Sequence, residues 1–143
     1  MITTVLDTGP LVAFFNAKDK HHARCVEFFS KLRGRKLLPS TVLAEVSWQL
    51  EHWPRVEAAF IEHAAKGTFE LVNLTSEDLL RVSELITQYA DFPLGAVDAS
   101  VIAVAERYAV DRIATLDHRH FTVVKPKHGS PLTLLPFRPD RTQ

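Results

Sequence analysis

Short apolar, β-branched runs alternate with helix-patterned stretches along this 143-residue chain. The strand-like runs are residues 2–6, "KLLPS" (36–40), "FELVNL" (69–74) and "RIATL" (112–116), with "TVVKP" (122–126) and "PLTLLP" (131–136) as further candidates. Between them lie "LVAFFN", "HHARCVEFFSKL", "TVLAEVSWQLEH", "RVEAAFIEHAAKG", "EDLLRVSELITQYA" and "AVDASVIAVAERYA", all read as helices. In the fifth, apolar residues at 79, 80, 82, 85, 86 and 89 keep a helical rhythm. The sixth is rich in small and branched apolar residues, so it is expected to be buried on most sides. Gly34 and Gly67 are expected to stop helices, Pro39 to end a strand, and Ser40 or Thr41 and Thr75 or Ser76 to cap helices. Strands that alternate with helices imply an α/β sandwich with a mainly parallel sheet. No repeat, low-complexity segment or linker interrupts the pattern. Residues 1–136 are therefore expected to form a single domain, and 137–143 a loose C-terminal tail.

Charge and cysteine content narrow the function classes. Seventeen acids balance seventeen bases, so no global basic field points to a nucleic acid, although a local patch remains open. One cysteine, Cys25, rules out a disulfide framework and fits a reducing compartment. There is no signal-peptide pattern and no apolar run of the ~20 residues needed to span a bilayer, so a soluble, cytoplasmic protein without a membrane partner is expected.

Four acids interrupt apolar surroundings. Asp7 stops the first strand in "VLDTGPLVAFF", and Asp117 closes "RIATL". Glu45 lies among Val42, Leu43, Ala44 and Val46, and Asp98 among Ala96, Val97, Ala99 and Val101. In an open parallel sheet, ligands bind beyond the carboxyl ends of the strands, so acids from distant parts of the chain can meet at that edge. Asp7 and Asp117 could instead cap their helix or turn, and Asp98 could sit at an N-cap. Glu45 has no capping hydroxyl three residues before it. A buried, unpaired carboxylate costs several kcal/mol, and no Arg or Lys lies within these apolar runs. Converging carboxylates raise one another's pKa, and a hard divalent cation such as Mg²⁺ or Mn²⁺ resolves the repulsion. Such an ion polarises a phosphoryl oxygen and activates water. Two caps and two salt bridges would account for the same four residues.

The pieces "VLDTGPLVAFF", "PSTVLAEVSW", "YADFPLGAVDASVIAVAERY" and "IATLDHRHF" stand in the order found in PIN-domain endoribonucleases. The chain resembles that family, and specifically the VapC-type toxins of toxin–antitoxin pairs. The resemblance implies a three-layer α/β sandwich: a twisted, mainly parallel sheet of about five strands flanked by helices. It also implies an RNA-hydrolysing acidic cluster of Asp7, Glu45, Asp98 and Asp117 with bound Mg²⁺ or Mn²⁺. By position, Asp7, Asp98 and Asp117 would contact the metal, and Glu45 would help hold the ion or orient the attacking water. Thr8 and Thr115 would hydrogen-bond the carboxylates or a metal-bound water, or make only local turn bonds. Asp91 would act as a support or loop-fixing residue, or take a metal role. Of the "HRH" segment, His118 or His120 could contact RNA or donate a proton, or be exposed without a task.

An RNA substrate needs positive surface, and zero net charge makes that surface local. The densest basic run, "KLRGRK", supplies Arg33, Arg35 and Lys36; Arg119 follows the last acid. Each could equally be ordinary solvated surface. The resemblance implies a VapB-like antitoxin lying in a groove beside the acids, for which Phe14, Phe15, Phe28, Phe29, Trp48 and Trp53 could form walls or simply pack the core. It also implies a homodimer. The rival reading is a non-catalytic PIN-like protein-binding module. "DTG" after the first strand disfavours receiver and haloacid-type phosphatase domains, and the missing G-x-G-x-x-G and P-loop disfavour a nucleotide binder.

Overall fold

The computed structural model describes residues 2–136, so the expected tail at 137–143 lies outside the described residues. The elements run β1 (Thr3–Leu6), α1 (Thr8–Phe15), α2 (His22–Lys31), β2 (Arg35–Pro39), α3 (Ser40–Gln49), α4 (Pro54–Ala65), β3 (Glu70–Val72), α5 (Ser76–Gln88), α6 (Ala96–Arg107), β4 (Arg112–Ala114), α7 (His118–Val123) and β5 (Thr133–Leu135). The five strands form one parallel sheet in the order β3-β2-β1-β4-β5. Val5 stands between Leu37 and Ile113, and Leu6 is opposite Ala114. These residues and Leu38 are fully buried, as expected where helices cover both faces of a parallel sheet.

Helix α6 is buried continuously from Ala99 to Ala105, in keeping with its small and branched composition. α5 packs beside it and starts with a capping box in which Thr75 and Asp78 satisfy each other's backbone N–H. Gly67 follows the last turn of α4 with φ +83° and donates to Ala64 O, the expected helix stop. Among the described residues no helix is long and apolar enough to cross a membrane.

Three local expectations differ from the structure. "TVVKP" is not a strand, because its first two residues complete α7. The edges of β4 are taken by β1 and β5, and a parallel β4–β5 pair needs a crossover, which α7 helps to supply. Neither Ser40 nor Thr41 caps α3: Pro39 occupies the N-cap, and the Thr41 hydroxyl instead meets Ser100 Oγ at 2.5 Å. Helix α2 ends at Lys31, before Gly34. Gly34 makes the turn into β2 at φ +86°, where a Cβ would lie 1.9 Å from the Ile2 carbonyl oxygen. That same oxygen accepts from the Arg35 N–H at 2.9 Å and starts the β1–β2 pairing.

Gly34→Ala is expected to destabilise the fold by more than ~3 kcal/mol, since left-handed backbone strain adds to a clash with main chain. Gly67→Ala has the same backbone strain but no atom within 4 Å of the new Cβ, so it should cost only about 1 kcal/mol. Urea denaturation of the two variants checks the ranking.

Candidate metal centre

The sheet is built outward from β1 in both directions, first through β2 to β3 and later through β4 to β5. Crossovers that diverge in this way leave a crevice beyond the carboxyl ends of β1 and β4. Asp7 is the first residue after β1, and its N–H donates to Ala114 O, the last carbonyl of β4, at 2.8 Å. Thr115 is the first residue after β4; its hydroxyl donates to Asp7 Oδ2 at 2.7 Å and accepts from the Asp117 N–H at 2.9 Å. One buried hydroxyl thus links the two strand ends that carry acids. Next to Asp7, the Thr8 hydroxyl donates to Glu45 Oε1 at 2.5 Å and draws α3 to the same edge.

Asp7 sits at the N-cap of α1 but its carboxylate makes no capping bond. Asp98 is the third residue of α6, where Gly95 is the N-cap. Asp117 does cap: it accepts from the His120 N–H at 3.2 Å at the start of α7. The His120 ring adds a contact from Nδ1 to Asp117 Oδ2 at 2.7 Å. Asp98, Asp117 and His120 each offer a ligand atom within 4.8 Å of the others.

Electrostatics tie Asp7 and Glu45 to this cluster. Asp7 is 5% exposed, and burial pushes its carboxyl from 3.8 up to about 7. The Thr115 hydroxyl and the Thr8 N–H hold it down, whereas the charges of Asp98 and Glu45 push it further up. Asp98 is pushed up to about 6, chiefly by burial and then by the Asp117 charge; His120 opposes this and Glu45 adds to it. Among the described residues no Lys or Arg forms an ion pair with Asp7, Glu45, Asp98 or Asp117. This is a site with excess negative charge and a preorganised set of oxygen donors, the chemistry that a hard divalent cation fits.

The four acids read from the sequence share one field, with Thr8 and Thr115 bonded to two of them. His120 joins Asp98 and Asp117 in the tightest cluster, and Asp7 stands one hydroxyl away. The signal for His120 was its three-residue spacing from Asp117, which has meaning only on a helix. Asp91 lies exposed in the turn after α5 and makes no hydrogen bond or ion pair among the described residues, so no contact carries its expected support role. Arg33, Arg35 and Lys36 lie at the opening of β2, at the opposite end of the sheet from the acids. Arg35 is held by Glu70 through two hydrogen bonds, and Lys36 lines an apolar pocket with Phe14 and Phe15. Arg119 alone of the basic candidates stays beside the cluster, with its guanidinium 5.3 Å from the Phe92 ring centroid.

A family model, PIN domain, matches residues 4–125, a span that includes all four acids. Ribonuclease VapC26 of Mycobacterium tuberculosis is 30% identical over 134 residues, which cover 92% of this chain and 99% of that protein. The chain belongs to the VapC family of PIN-domain proteins. Its fold is also that of M. tuberculosis VapC20, a sarcin-ricin loop cleaving toxin, with TM-score 0.73 and 18% identity over 77% of this chain and 86% of that one. VapBC2 from Rickettsia felis, solved on a DNA fragment from its promoter, gives TM-score 0.67 and 16% identity over 96% of this chain and 100% of that one. In this PIN-domain chain the acids converge from β1, α3, α6 and the end of β4, so no short segment contains the site.

The site sets a pH dependence for the metal-free protein. Folding raises the Asp7 pKa, so the folded state binds the proton more tightly than the unfolded state does. The resulting cost to stability is present above about pH 7 and fades as pH falls toward 3.8. In EDTA at pH 8, Asp7→Asn should stabilise the fold by about 1–3 kcal/mol, and the gain should shrink by pH 5. Chemical denaturation of both proteins at the two pH values checks this.

Proposed function

We propose that this VapC-family chain is an Mg²⁺- or Mn²⁺-dependent endoribonuclease that hydrolyses RNA phosphodiester bonds at this acidic edge, and that a VapB-like antitoxin neutralises it. The observation that carries the reading is the convergence of Asp98 and Asp117 with the buried Asp7, with no Lys or Arg paired to them. Asp98 and Asp117 are the residues that would hold the ion, with Asp7 completing the negative field through the Thr115 link. When bound, the ion polarises the phosphoryl group and activates a water for attack.

The chain's own residues do the positioning. Thr115 fixes the Asp7 carboxylate by donating to Oδ2. Thr8 occupies one oxygen of Glu45 and leaves the other to accept a proton from the attacking water. His120 holds the Asp117 carboxylate from both its backbone N–H and its ring. Ser100, next but one to Asp98, is bonded to Thr41, one helical turn before Glu45. That bond fixes the spacing between α3 and α6.

For the antitoxin, Phe14, Phe15, Val26 and Phe29 line an apolar pocket of about 390 Å³ that they share with Lys36, so its aromatic walls lie toward the end of the sheet away from the acids and would anchor a partner without themselves covering the site. Trp48 and Trp53 add apolar surface, 68% and 38% exposed. Phe15 also packs edge-on against Phe60 and Phe69, so part of this aromatic set belongs to the core. A homodimer follows from the same family reading.

Purified protein free of antitoxin is expected to cleave total RNA in Mg²⁺ or Mn²⁺ and not in EDTA. Asp98→Asn should lower the rate at least about a hundredfold. Uncut RNA, together with no carboxylate-dependent Mn²⁺ binding by calorimetry, would favour the non-catalytic binding module.

A further inference from the structure

The ribonuclease reading needs a way to bring a polyanion against a negative site, and the densest basic run lies at the far end of the sheet. Arg119 lies between Asp117 and His120 in the chain and is exposed. It follows Asp117 by two residues, yet among the described residues it forms no ion pair. Three other arginines are ion-paired, Arg35 to Glu70, Arg81 to Glu106 and Arg107 to Asp78, whereas Arg33, Arg55 and Arg112, like Arg119, form no ion pair among the described residues. The Arg119 guanidinium instead lies over the Phe92 ring, 5.3 Å from its centroid. His120 flanks the same ring at 5.0 Å with a 51° tilt. Phe92 is partly exposed and belongs to the turn that leads into α6 and Asp98.

We propose that Phe92 and Arg119 form a ledge that holds one unpaired nucleotide next to the phosphate to be cut. The inference rests on the ribonuclease reading and deepens it: the substrate at this point is single-stranded RNA. A guanidinium resting on an aromatic ring keeps its donors pointing outward in a planar fork, the arrangement that grips a phosphate in two places. Its outer face, and the exposed part of Phe92, are flat surfaces on which a base can stack. Unstacked bases of loops and single strands are recognised on aromatic rings and Arg planes in this way, whereas a base inside a duplex cannot present its face. The cation also offsets the local negative field along the path of approach.

Binding is measured in an Asp98→Asn background, which keeps the RNA intact and itself removes one of the negative charges that repel it, so that binding does not depend on a loaded ion. The probe is a short random-sequence single-stranded RNA containing 2-aminopurine, whose fluorescence falls on stacking; its duplex form is the comparison. The background protein should bind the single strand more tightly than the duplex and quench its fluorescence. Added Phe92→Leu should remove most of the quench and weaken binding about tenfold. Added Arg119→Lys should lose the quench but keep the salt dependence of binding. Added Arg119→Ala should lose the quench and reduce the salt slope by about one charge. Circular dichroism and thermal melting establish that each variant is folded. Tight binding that none of the three substitutions alters, or a preference for the duplex, would overturn the ledge and leave the nuclease reading standing. No RNA binding by the background protein would overturn the ledge as well, and the metal-dependent cleavage of total RNA by the wild type then decides separately whether the nuclease reading survives.

Discussion

A carboxylate with almost no access to water, and with no lysine or arginine paired to it, is expensive to keep charged. Asp7 is in that position because Leu6 pairs with Ala114, which brings the residue after β1 against the end of β4. Moving its pKa from 3.8 to about 7 corresponds to ~4 kcal/mol against the charged form. That figure is what remains after the Thr115 hydroxyl and the Thr8 N–H have already held the carboxyl down against its burial. Much of the local architecture serves this one group. Thr115 faces inward to reach it, and its oxygen then accepts the Asp117 N–H. A second acid is thereby fixed relative to the first.

The remaining members are held by helix packing. α3 and α6 meet through Thr41 and Ser100, and Ser100 itself donates to Val97 O within α6. α6 is in turn fixed to α5 by Arg81, which grips Glu106 with two hydrogen bonds at 2.7 and 2.9 Å. Glu106 is held well below the usual carboxylate range by Arg81 and the Lys127 N–H, against the opposing effect of its burial. The two ends of α6 therefore carry acids with opposite fates. Asp98 at the start has its pKa raised, with no paired cation, and Glu106 near the end is fully compensated. A fold can leave a charge uncompensated only where the surroundings are rigid, and function is the usual reason for such a charge.

The strand ends were the legible part of the site. An apolar run that stops at an acid, followed by a helix, marks a position at the carboxyl edge of a parallel sheet, and both Asp7 and Asp117 follow that rule. Glu45 and Asp98 could be read because each sits among apolar neighbours in the first turns of a helix that begins near that edge. α7 was not legible. Thr122, Val123 and Val124 favour a strand by propensity, and only the need to cross from β4 to β5 makes the segment helical. With the helix went the meaning of its i, i+3 pair, Asp117 and His120. The run from Lys31 to Lys36 was legible as charge but not as position. Its charge density was visible, but a residue that precedes a parallel strand lies at the edge opposite to one that follows it, so order along the chain already placed Arg33 and Arg35 away from the acids.

A chain with zero net charge can still separate its charges by position, and this one does. Arg35 and Arg107 both face the Tyr108 ring, at 5.6 and 5.1 Å, and both are neutralised by acids near the opening of the sheet. At the carboxyl edge the acids are left without such partners. On the ribonuclease reading this asymmetry imposes an order of events. RNA approaching the bare acidic edge meets like charge, and a Debye length of about 8 Å at physiological salt does not hide carboxylates in contact with the phosphate. A divalent ion, which Asp98 and Asp117 would hold, would offset that local negative charge. Such an ion would also compete with the proton that burial favours on Asp7 up to about pH 7 and on Asp98 up to about pH 6. On that reading ion binding at this edge would strengthen with rising pH, and RNA binding would strengthen with it.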